Sequence, residues 1–139
     1  MNLREILNAI RPYVQGWTFQ DGIWTPTFTG FSADPAGVIA LYALWGNRCR
    51  VDVVMPNAGT SNATDFTVSA PFPAAVVSGM SWGGVWWTAQ DNGAFLTAPG
   101  RVYISSGGSV FALLKDTVNA AWTASGAKKA YFGLEYQIN

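Results

Sequence analysis

The sequence predicts a mainly β protein: an antiparallel β-sandwich, jelly-roll-like, preceded by a short N-terminal α-helix. Three observations predict it. Short runs rich in Val, Thr, Tyr, Phe and Trp alternate apolar with polar residues, as half-buried strands do. Gly, Pro, Asn and Asp interrupt those runs every eight to twelve residues, the spacing of an all-β domain. Only the first segment follows a helical period instead. Two parts are expected, a helical attachment segment over 1–16 and a β domain over 17–139.

The helix is predicted over 2–11. Leu3, Ile6, Leu7 and Ile10, continued by Val14, recur at i, i+3 and i+4 and form one apolar face. Asn2 suits the N-cap and Glu5 completes a capping box, while Pro12 ends or bends the helix. About ten residues are too few for an isolated helix in water. It must dock, either on its own domain or on the same helix of neighbouring subunits.

From residue 17 the pattern becomes β. "GWTFQDGIWTPTFTGF" reads as two strands reversed at Asp21-Gly22, and "FSADPAG" as a loop. "VIALYALWGNRCRVDVVMP" reads as two strands joined at Gly46-Asn47, with Cys49, Val51, Val53 and Met55 on one face and Pro56 as the stop. "NAGTSNAT" is expected to be loop. The strand "DFTVSAP" has Phe66, Val68 and Ala70 on one side and ends at Pro71. Next come at least three short strands with reversals at Gly83-Gly84, Asn92-Gly93 and Pro99-Gly100. "SVFALLK" follows the Gly107-Gly108 turn, and a last strand carries Phe132, Leu134, Tyr136 and Ile138 on one face. The total is nine to eleven strands.

Composition narrows the function. Half of the 139 residues are apolar and 12% are charged, against about 25% in an ordinary domain. The formal net charge is zero and no basic stripe exists, which argues against nucleic-acid binding. The chain has no histidine and one cysteine, Cys49. An internal disulfide, a Cys-Cys metal site and a His-activated nucleophile are therefore excluded. Cys49 reads as a small core residue. No apolar run approaches the ~18 residues of a membrane span, and no signal-peptide core precedes the β region. A surface with so little charge must find its polarity in Ser, Thr, Asn, Gln and Gly or be covered by partner chains. Together the features point to a non-enzymatic structural protein without cofactor or metal.

Seven tryptophans read first as core and subunit packing, and where exposed as a platform for a sugar or receptor. Trp86 and Trp87 are adjacent, so on a strand they face opposite ways and at most one is core. Trp82, Trp86 and Trp87, with Asp91 and Asn92 nearby, are the expected ligand or partner contacts. Leu3, Ile6, Leu7 and Ile10 are the expected oligomer or attachment contacts. Most carboxylates stand in Asp-Gly, Asp-Pro or Asp-Asn turn contexts, unlike the facing pair of a glycosidase.

"WTPTFTGFSADPAGVIALYALWGNRCRVDVVMPNAGTSNATDFTVSAPFPAA", with "RVYISSGGSVFALLK" and "WTASGAKKAYFGLEYQIN", resembles a β module of tailed-phage and prophage virions, the C-terminal region of tail fibres and related appendages. The matching features are Trp24-Thr25-Pro26-Thr27, Tyr42, Trp45-Gly46 before a Cys-x-Val strand, and Gly59-Thr60-Ser61-Asn62 before the strand ending at Pro71. The resemblance spans roughly 23–139. It implies a homo-oligomer, a trimer above all, that contacts other virion proteins and displays a β-rich surface for host attachment. About 20 residues precede the module, which suits a head fibre, decoration protein or tail-tip subunit better than a long fibre. Such a protein is assembled in the host cytoplasm and released in the virion by lysis. The alternative is a carbohydrate-binding module for host-surface glycans. It requires Trp faces left in solvent beside Asp, Asn or Gln.

Overall fold

A computed structural model of the chain describes Asn2, Glu5 and residues 19–139. The predicted helix face, Leu3, Ile6, Leu7 and Ile10, lies outside the described residues, as do Pro12 and Trp17. The predicted capping partners do meet. Asn2 N–H donates to Glu5 Oε2 (2.9 Å) and Glu5 N–H donates to Asn2 Oδ1 (3.0 Å), the reciprocal pair of a capping box.

The chain is mainly antiparallel β, with twelve strands among the described residues. They are β1 (Phe19–Ile23), β2 (Phe28–Thr29), β3 (Phe31–Ala33), β4 (Ile39–Trp45), β5 (Arg48–Val54), β6 (Gly59–Ser61), β7 (Thr67–Ser69), β8 (Ser81–Asp91), β9 (Ala94–Phe95), β10 (Arg101–Ser105), β11 (Val110–Leu114) and β12 (Ala127–Gln137). One hydrogen-bonded network joins them in the order β1-β4-β5-β12-β8-β10-β11-β7-β2, curled into a half-barrel. β3 and β6 pair beside β12, and β9 pairs with β8.

Alternation decides which side chains enter the curl. Cys49, Val51, Val53 and Met55 are fully buried along β5 and just beyond it, as the period-2 pattern predicts. Phe132, Leu134 and Tyr136 of β12 are buried too. The rings of Phe132 and Tyr136 meet Phe111 of β11 edge-on at 5.7 and 5.6 Å. β11 and β12 are not neighbours in the strand order, so these contacts cross the interior and hold the curl.

Between Ile23 and Phe28 the chain passes from one edge of the sheet to the other. Trp24 spans this seam: its backbone N–H donates to Ala40 O in β4 (3.2 Å) and its indole N–H to Ser69 O in β7 (3.1 Å). A second tie is buried. Lys128 Nζ donates to Ala63 O (3.1 Å) and Asp65 O (2.8 Å), under the rings of Phe31 and Phe66. The ammonium thus fixes the connection between β6 and β7, and its burial lowers its pKa.

Three predicted turns or loops are strand. Asp21-Gly22 lies within β1, where the absent side chain of Gly22 leaves room for the Tyr42 ring. Gly83-Gly84 lies within β8, paired to β10. Part of the expected 57–64 loop forms β6. At Gly22 and Gly59 glycine marks close packing rather than a reversal, while Gly83 leaves the outer face of the strand open. Gly46-Asn47 does join β4 to β5, and Asn92-Gly93 joins β8 to β9 with φ of 48° and 82°, as a two-residue type I′ hairpin requires.

Candidate functional site

β8 is the longest strand beside β12, and it changes partners along its length. Ser81–Val85 pairs with β10 and Trp86–Gln90 with β12, with a register shift where Phe132 faces Trp86 and Tyr131 faces Thr88. Trp87 falls in this bulge. A bulge leaves one residue unpaired and re-aims its side chain.

The adjacent tryptophans part as predicted. Trp86 is buried and its indole N–H donates to Leu114 O (2.9 Å). Trp87 is 54% exposed on the outer face. Its ring lies against Gly133, and Asp52 flanks the same glycine from the neighbouring strand.

The remaining predicted contacts separate. Trp82 packs half-buried against the core. Asp91 is buried: it pairs with Lys115 (2.7 Å) and accepts the N–H and hydroxyl of Thr123 (3.0 and 2.9 Å). Burial works to raise its pKa, but Lys115 and Thr123 hold it below the usual carboxylate range. Asn92 is exposed in the hairpin turn. Trp86 and Asp91 are thus structural, because a buried polar group must find its partner inside. Trp87 and Asn92 remain at the surface. The Asp-Asn-Gly turn sets Asp91 beside exposed Asn92 in the chain, but as the last residue of β8 it carries its carboxylate inward.

The outer face of β1, β4, β5, β12 and β8 has an ordered arrangement. Ile23 pairs with Leu41, Leu41 with Asp52, and Asp52 with Gly133, over which Trp87 lies. This row crosses five strands, about 19 Å at ordinary strand spacing. Beside it runs a second row, Ile39 and its partner Val54, then Tyr131 of β12 beside Thr88. Ile23 is 79% exposed, and Ile39 and Leu41 are also largely in solvent. The other flank is charged: Arg50 bonds Asp52 through Nε (3.2 Å) and Nη2 (3.3 Å), and Arg48 stands 3.8 Å from Glu135. A hollow of about 300 Å³ lies between Asp21, Ile23, Leu41 and Arg50.

A larger groove, about 730 Å³, opens on the outer face of β8 and β10. Gly83 and Val85 line it from β8, Arg101 and Tyr103 from β10, with Leu114 and Asn119 beyond. The sequence reading did not single out Arg101, Tyr103 or Asn119. The signal was present in "RVYIS", where Arg101, Tyr103 and Ser105 alternate with buried Val102 and Ile104. It was obscured by reading Gly83-Gly84 as a turn, which removed the strand that flanks Tyr103.

Among the described residues no group of three or more His, Cys, Asp or Glu side chains could hold a metal ion. No protein-family model matches the chain, and no curated protein matches it in sequence.

Proposed function

We propose that the chain is a structural subunit of a phage virion, a fibre, spike or decoration protein that assembles with copies of itself and displays the rest of its β surface. In this reading the curled sheet is the jelly-roll-like sandwich domain over 17–139, and 1–16 is a helical attachment segment that begins at the Asn2–Glu5 pair. The observation that carries it is the pair of apolar rows on the outer face, Ile23 with Leu41 and Ile39 with Val54. An outer sheet face ordinarily carries polar residues to solvent. Contiguous exposed apolar surface with charges at its margin is the make-up of an interface. The resemblance to virion modules supplies the setting, and trimeric assembly follows from it.

Sedimentation analysis of the full chain at micromolar concentration tests this reading. It predicts a homo-oligomer that the double substitution Ile23→Lys, Leu41→Lys reduces to monomer. A wild-type chain that sediments as a monomer across that range sinks it.

A second reading, recognition of host-surface glycans, has its own support. Trp87 presents an indole face to solvent with the Asp52 carboxylate at its side. Aromatic faces beside hydrogen-bonding groups suit the mixed apolar and polar surface of a sugar.

A further inference from the structure

We infer that the groove between β8 and β10 binds the carboxylate of an acidic saccharide, a uronic or sialic-type sugar acid, with Arg101 as the anion contact and Tyr103 as the platform for the ring. This rests on the glycan reading and moves its centre from Trp87 to a different place on the sheet.

The register builds the platform. Tyr103 pairs with Gly83 on one side and Ala112 on the other. Its outward side chain therefore stands between two positions with almost no side chain. On most outer sheet faces the cross-strand neighbours would cover such a ring. Here both flanks are open, and the space over Gly83 is the groove itself. A pyranose has a flat C–H face that packs on an aromatic ring in this way, while its hydroxyls need polar neighbours. Ser81 and Asn119 stand at the rim.

The next row supplies the charge. Arg101 pairs with Val85 on one side and Leu114 on the other, so its stem runs between apolar neighbours and its guanidinium stands at the groove. The other two described arginines have carboxylates within reach, Arg48 with Glu135 and Arg50 with Asp52. Among the described residues Arg101 has no such partner, and the groove is lined by no acid. Its guanidinium donates to Asn119 Oδ1. That amide is placed in turn by a loop in which Asp116 Oδ1 accepts the N–H groups of Val118 (2.9 Å) and Ala120 (2.8 Å), with Asn119 at φ 67°. The guanidinium is oriented before any ligand arrives, and most of its five donors remain open. One guanidinium beside one ring balances a monoanionic sugar acid, whereas a phosphate monoester carries a charge of about −1.5 to −2 near neutral pH and would be left partly uncompensated.

The test is binding of the full chain to paired saccharides. Tri-galacturonic acid is compared with its methyl ester, and 3′-sialyllactose with lactose, at low and moderate salt. At least one acid should bind at least tenfold more tightly than its uncharged counterpart, and salt should weaken that preference. Arg101→Gln should abolish the preference, and Tyr103→Ala should weaken the acid at least tenfold. Both variants lie on the surface, and an unchanged melting temperature verifies that they fold. Equal binding of acid and uncharged forms overturns the inference, as does an acid preference that survives Arg101→Gln. Tighter binding of a nucleoside monophosphate than of any saccharide overturns it as well. Uncharged saccharide binding that Trp87→Ala removes and Arg101→Gln leaves intact overturns the groove but keeps the glycan reading. Absence of binding by all four saccharides overturns both.

Discussion

The indole of Trp87 occupies the space above Gly133: a side-chain carbon placed on Gly133 would stand 3.4 Å from Cζ3 of the ring and 2.6 Å from Oδ1 of Asp52. The bulge in β8 and the missing side chain in β12 thus act together. One re-aims the ring, and the other gives it a bare stretch of backbone to lie on.

Gly133→Val should first crowd Asp52 Oδ1 and the Val51 carbonyl, 2.6 and 3.1 Å from the new Cβ, while its γ carbons press on the ring. Overpacking of this kind costs about 1–3 kcal/mol, which urea unfolding measures. The Trp87 contribution to fluorescence, taken as the difference from Trp87→Phe in each background, should shift to the red as the indole moves into water. An unshifted difference spectrum with unchanged stability would mean that the ring does not rest on Gly133.

The β character, the buried face of β5 and the buried face of β12 were all legible in the sequence. Cys49, Val51 and Val53 alternate with charged or half-exposed residues without interruption, and one face of that segment can only be core. The opposed fates of Trp86 and Trp87 followed from the same period. Glycine was where the reading failed. Gly22 lies in a strand interior because the Tyr42 ring needs the space, and Gly83 because the outer face is left open there. Nothing local distinguishes such a glycine from one at a turn, whereas Gly133, inside an unbroken alternation, is legible as strand. The groove was lost with Gly83. The inward course of Asp91 was hidden because its partners, Lys115 and Thr123, are 24 and 32 residues away in the chain.

Asp91 makes stability depend on acid in a definite direction. Its native pKa lies below that of the unfolded chain, so the unfolded state binds more protons as the solution is acidified. The stability it contributes is complete above the unfolded value, about 3.9, and is lost as pH falls through the depressed native value. Asp91→Asn should lower stability at pH 6 and flatten the decline below about pH 4. Urea midpoints between pH 2 and 6 check both. A variant that keeps the full acid slope would assign that slope to other carboxylates.

Lys128 gives the opposite end of the pH scale. Burial depresses its native pKa, so between that value and the unfolded value near 10.4 the unfolded chain again binds more protons. Its contribution to stability rises with pH across that window. Lys128→Met removes this rise and leaves Ala63 O and Asp65 O without their donor. Stripping a fully buried carbonyl of its partner costs about 1–3 kcal/mol, and these two, part-buried, should cost less. The variant should be less stable at pH 7, and the wild-type advantage should grow towards pH 10. A more stable variant at neutral pH would show that desolvating the ammonium outweighs its hydrogen bonds.

Trp24 tests how the two ends of the sheet are held. Its indole N–H is the side-chain bond across the seam to Ser69 O, while Thr27 N–H donates to Ser69 Oγ (2.8 Å) and Ser69 N–H to Thr27 O (2.9 Å). Trp24→Phe keeps a ring against the core but leaves Ser69 O without the indole donor. The loss should be about 1 kcal/mol, the worth of one hydrogen bond. Trp24→Ala also removes the ring and should cost clearly more. If the seam opens as a unit, both variants should speed amide exchange at Thr27 and Ser69 together, more than at Val51 or Phe132 in the centre of the sheet. Equal acceleration at all four sites would instead show that the seam and the core unfold in one step. In that case Trp24 stabilises the whole sheet, not its edges.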